Sequence, residues 1–124
     1  MAVTKGAILL TGSFVGIGTT YTAVTLAGSP GVPRSGFITR VKVKKTSGTG
    51  TGARARMYEP VTSRELFEYD DPDNPGAPIT FDAADELHVC DPPLWYNRAG
   101  GTLQIELAFD ASTTGTVEVE VVLP

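Results

Sequence analysis

Between residues 36 and 59 apolar and polar positions alternate on either side of a loop made only of Ser, Thr and Gly. Phe37, Val41 and Val43 alternate with Ile38, Arg40, Lys42 and Lys44. Beyond the loop at 46–52, Ala53, Ala55 and Met57 alternate with Arg54, Arg56 and Tyr58. Side chains two apart share one face of a strand, so each arm has an apolar face and a mostly cationic one. The pattern predicts a long β-hairpin over 36–59. A second hairpin is predicted at the end of the chain. There Leu103, Ile105, Leu107 and Phe109 alternate with Gln104, Glu106 and Ala108, and after a turn at 110–115 Val117, Val119, Val121 and Leu123 alternate with Glu118, Glu120 and Val122.

Shorter signals fill the rest. Strands are predicted over 5–15, 19–26 and 63–69, and in brief pieces at 79–81 and 86–89, the last stopped by Asp91-Pro92-Pro93. The strongest turn is at 70–76, and Leu94-Trp95-Tyr96 reads as an aromatic plug under a loop. About eight short strands with no helical period predict an all-β fold, a single-domain antiparallel β-sandwich over 1–124, jelly-roll-like. The residues expected to be buried together are Phe37, Val41, Val43, Leu103, Ile105, Leu107, Val117, Val119 and Val121.

Composition supports that reading. Fourteen Gly and nine Pro in 124 residues punctuate the chain often enough for many turns. A single cysteine, Cys90, rules out a disulfide within the chain, so apolar burial must hold the fold. The run at 7–17 is broken by polar and glycine residues and reads as a strand rather than a signal segment, and no apolar run reaches the ~20 residues that span a bilayer. No membrane association is expected.

Charge is unevenly placed. The net charge is −4, yet six of the ten Lys and Arg residues fall between 40 and 56: Arg40, Lys42, Lys44, Lys45, Arg54 and Arg56. The leading reading is cross-strand pairing with Glu106, Glu118 and Glu120, where opposite charges contribute ~0.2–1 kcal/mol each. A protein-contact surface comes second. Nucleic acid is not an expected partner, because the molecule is anionic and only Tyr58 offers an interleaved aromatic ring. Ten of fourteen acidic residues lie in 59–91. Asp70, Asp71, Asp73 and Asn74 carry oxygens of the kind calcium takes, but their spacing matches no EF-hand loop, and Asp or Asn before Pro is an ordinary turn former.

Little in the chain reads as catalytic. His88 and Cys90 share a strand face, but one His and one Cys cannot complete a four-ligand zinc site, and no nucleophile–base–orienter grouping is evident. No enzyme activity, metal or cofactor is expected. Trp95, Tyr96 and Tyr58 offer a sugar-stacking platform or, as the leading reading, an anchor beside Pro92 and Pro93.

The runs GFITRVKVKKTSGTGTGARARMYE at 36–59, LFEYDDPDNPG at 66–76 and GGTLQIELAFDASTTGTVEVEVVLP at 100–124 together resemble small virion proteins of tailed bacteriophages. The resemblance implies a non-enzymatic structural subunit of the virion, assembled in the host cytoplasm. The type implied is a capsid decoration (cement) protein, often trimeric, lying over junctions of the major capsid protein. A tail or baseplate protein, or a carbohydrate-binding module, is the alternative. No residue role carries over from it.

The interaction candidates come from the residues themselves: Arg40, Lys42, Lys44, Arg54 and Arg56 on the cationic arms, and Ile8, Leu10 and Phe14 in the apolar N-terminal run. A positive patch at 40–56 against a negative one at 59–91 suggests head-to-tail contact closing into a homo-oligomeric ring such as a trimer. Residues 1–18 are expected to pack on another copy or on a shell.

Overall fold

The structure is a computed structural model describing residues 7–28, 31–50, 52–59, 63, 65–69, 79–80, 84–98 and 100–123, with backbone alone for 69, 79–80 and 84–92. Residues 1–6, the 70–76 turn with its calcium reading, and the side chains of His88 and Cys90 lie outside the described part.

The described chain is all strand and connection. In order the strands are β1 (Ala7–Ile17), β2 (Thr22–Thr25), β3 (Ser35–Gly48), β4 (Gly52–Tyr58), β5 (Glu65–Tyr69), β6 (Ile79–Thr80), β7 (Ala84–Asn97), β8 (Gln104–Phe109) and β9 (Thr113–Val122). One sheet has the order β1-β9-β3-β7. The other runs β2-β8-β4-β5, with the two-residue β6 added on β4. All these pairings are antiparallel. Leaving out β6, eight strands in this order form a jelly roll, in which successive strands other than the β4–β5 pair pass back and forth between two facing sheets.

Period-2 alternation puts the apolar faces together. Leu10, Val41, Val43 and Val117, Val119, Val121 from the first sheet meet Ala53, Ala55, Met57, Ile105 and Leu107 from the second, all fully buried. Phe14 and Phe109 stack between the sheets with ring centroids 5.3 Å apart. Fully burying side chains of this size is worth about 1.5–3 kcal/mol each.

Both expected hairpins are corrected. β3 lies between β9 and β7, while β4 lies between β8 and β5, so the two arms of 36–59 belong to different sheets. The same holds for β8 and β9. Alternation fixes which face of a strand is apolar but not its neighbour, and arms facing each other across the core bury those faces as well as arms side by side. The two crossings brace each other. Thr49 N–H donates to Ser112 O at 3.0 Å, and Gly52 and Asp110 exchange hydrogen bonds of 3.1 and 3.2 Å. Gly48 makes the corner with φ +102°, where a Cβ would run into the Ser112 backbone.

A bulge accounts for a second correction. Against β9 the register steps from Ile38↔Val121 to Arg40↔Glu120, leaving Thr39 as the extra residue. Against β7 it steps from Ile38↔Leu94 to Arg40↔Val89, so residues 90–93 stand opposite Thr39 alone. An extra residue inverts the alternation. Ile38 therefore points inward and is fully buried, whereas Phe37, expected in the core, is 36% exposed on the outer face. The Thr39 hydroxyl fastens the bulge to Glu120, 2.8 Å from Oε1. This irregularity also lets β7 run through Pro92 and Pro93 rather than stop at them, because β7 is an edge strand and prolines are tolerated at edges and bulges.

Candidate interaction surface

The structure separates the cationic residues that the sequence places together. Arg40, Lys42 and Lys44 lie on the outer face of the β1-β9-β3-β7 sheet, and Arg54 and Arg56 on the outer face of the other. Arg40 faces Glu120 in register at 3.9 Å. Lys42 stands opposite Glu118 on one side and Glu86 on the other. The first outer face thus carries an anionic stripe on β9 beside a cationic stripe on β3.

On the second face Arg56 is held from several sides. Its Nε donates to Glu106 Oε1, its Nη1 lies 3.9 Å from Glu68, and its guanidinium sits over the Tyr21 ring at 3.9 Å. The hydrogen bond to Glu106 raises its pKa above the ordinary value. Arg54 adds a second cation over Tyr21 at 4.8 Å. Burial, and then the Glu68 carboxylate, raise the pKa of the Tyr21 phenol, while the two arginines oppose that shift. These contacts match the cross-strand reading of the charges for Arg40 and Arg56. The five cationic candidates thus form two groups, one on the outer face of each sheet, and not one patch.

The N-terminal candidates are corrected as well. Leu10 and Phe14 belong to the core, and Ile8 is half-buried against it, so in β1 the opposite phase faces out. Leu9 is 41% exposed and Val15 84%. The aromatic plug is also divided. Tyr96 is buried, its hydroxyl donating to Pro33 O at 2.9 Å, while Trp95 is 41% exposed on the outer face. Burial pushes the Tyr96 phenol up to about 12, against a smaller lowering by Arg98. With Tyr58 on the other sheet, the three rings form no common sugar platform.

The surface that sequence reasoning missed is a row crossing all four strands of the first sheet. Ala7, Val122, Phe37 and Trp95 are successive Cα partners and share its outer face. Phe37 and Trp95 meet edge to face with ring centroids 5.1 Å apart. No local signal could reveal the row, because each member sits on a different strand and Phe37 joins it only through the bulge.

A polar cavity of about 370 Å³ opens beside the second face, lined by Tyr58, Glu59, Ser63, Thr102, Gln104 and Glu106. Among the described residues no three metal-ligating side chains gather. Comparison with protein-family models, with curated proteins and with solved structures finds no match to this chain.

Proposed function

We propose that this chain is a structural subunit of a tailed-bacteriophage particle, a capsid decoration protein that binds over junctions between major capsid subunits and associates with further copies of itself. The observation that carries the reading is the apolar row Ala7–Val122–Phe37–Trp95 on an outer sheet face. Exposed apolar surface of this kind, bordered on one side by the Arg40–Glu120 charges, suits protein contact. An outer sheet face with exposed rings suits a broad protein neighbour better than a small substrate, which is held in a concave site. The jelly roll supports the reading only as a fold that capsid proteins often use, and folds host many functions.

In this role the sandwich is a rigid spacer. Apolar residues supply contact, and the charge stripes set register, because exposed ion pairs contribute only ~0–1 kcal/mol each. The test is to separate a lysate of the source phage on a density gradient and follow the chain with an antibody. Co-sedimentation with filled heads is expected. Recovery only with free tails would assign it to the tail, and recovery only with small soluble protein would overturn the virion reading.

A further inference from the structure

We infer that the outer face of the β1-β9-β3-β7 sheet is a self-complementary docking surface, and that its occupant is a second copy of this chain, face to face about a two-fold axis. The inference deepens the reading of this face as a protein-contact surface and rests on it, but not on the particle; it gives this face to self-association, so that any contact with a capsid falls to the rest of the molecule.

The argument is one of charge geometry. Glu118 and Glu120 lie along β9, and Lys42 and Arg40 stand opposite them on the neighbouring β3. Consider a two-fold axis in the interface, parallel to the strands and midway between β9 and β3. It sets β9 of one copy over β3 of the other without shifting residues along the strand. Glu120 then faces the second Arg40, and Glu118 the second Lys42. Since the neighbours within each copy are already of opposite sign, every nearest pair in the resulting square of charges is attractive. An axis perpendicular to the strands would put β9 on β9 and like charge on like. Tilting the preferred axis by about 15° gives the roughly 30° crossing at which twisted sheets pack.

The same operation brings the apolar row onto itself. Val122 lies over Phe37, and Ala7, with Leu9 beside it, approaches Trp95. An isologous contact needs this kind of self-matching patch. Four strands at about 4.8 Å and some seven residues at about 3.3 Å give roughly 450 Å² of face per copy. That is below the ~800 Å² per partner of a standard interface, so the pair must dissociate on dilution and be favoured where copies are concentrated on a common surface.

The chain has one tryptophan, and it lies in the row. In the full chain at low salt, Trp95 emission should shift to the blue as concentration rises, in step with a doubling of mass in sedimentation velocity. Lys42→Glu and Glu118→Lys should each abolish the doubling, since each sets like charge over like across the axis. An equimolar mixture of the two variants should restore it, because each supplies the charge the other lacks. Pairing within one copy stays broken in both variants, so a purely intramolecular role predicts no rescue. Should either variant fail to fold, Trp95→Ala with an unchanged circular dichroism spectrum gives the same test, and the doubling should be lost. Wild-type protein that stays monomeric up to about 1 mM, or forms trimers, overturns the inference, as does a folded mixture that remains monomeric. A monomer that still co-sediments with heads would remove this pairing and leave the virion role intact. A dimer absent from particles would do the reverse.

Discussion

Thr49 and Ser112 are joined by a backbone hydrogen bond of 3.0 Å between two segments that both carry the chain from one sheet to the other. Each crossing is thereby the other's support, and Gly48 is the residue that lets them approach. Gly48→Ala should cost ~1–3 kcal/mol for backbone strain alone, plus the clash with Ser112. Gly100 also has positive φ, +90°, but open space around it. Gly100→Ala should therefore cost clearly less in urea denaturation. Equal losses would mean that the crossings are looser than described.

The bulge at Thr39 is tested by its neighbours. Ile38→Ala removes a fully buried side chain and should cost about 2–5 kcal/mol, as should Ile105→Ala. Phe37→Ala on the outer face should cost the isolated chain less than ~1 kcal/mol. The reverse order would show that the alternation runs through residue 39 without inversion.

These two predictions mark where the sequence stopped being informative. Which face is apolar was legible along β4, β8 and β9, because alternation is local: Ala53, Ala55, Met57, Ile105, Leu107, Val117, Val119 and Val121 are buried as expected, whereas Phe37 ahead of the bulge and Leu10 and Phe14 in β1 lie on the face opposite to the one expected. Which strands are neighbours was not. The Gly-rich segment 46–52 and the turn after Phe109 suit a hairpin and a crossing equally well, so Thr49 meeting Ser112 could not be read from either segment alone. The partnership of Arg40 and Arg56 with glutamates was legible, since the outward phases carry opposite charges. The row from Ala7 to Trp95 was not, since it exists only once four registers are fixed.

Tyr96 links stability to pH. Its phenol is raised from 10.0 to about 12 by burial, so between those values the folded chain holds a proton that the unfolded chain has lost. Stability from this group is complete below pH 10 and falls as pH rises through about 12, by ~2–3 kcal/mol in total. Tyr96→Phe should lower stability at neutral pH, because Pro33 O loses its donor, and should flatten the alkaline decline. Urea midpoints between pH 9 and 12 check both effects. An unchanged slope would place the titration elsewhere.

The charge pairs should differ in strength. Arg56 hydrogen-bonds Glu106 and is flanked by Tyr21, whereas Arg40 and Glu120 only approach to 3.9 Å. Double-mutant cycles to Ala should give a coupling of about 0.5–1 kcal/mol for Arg56–Glu106 and about half that or less for Arg40–Glu120. Added salt should weaken both. A larger value for Arg40–Glu120 would contradict the geometry.

The proposed role is tested most directly by the copy number of this chain in purified particles, measured by quantitative mass spectrometry against the major capsid protein. A decoration subunit predicts a fixed ratio to the capsid protein, reproducible between preparations and retained through repeated gradient purification. A ratio that falls towards zero with each purification step would contradict the account.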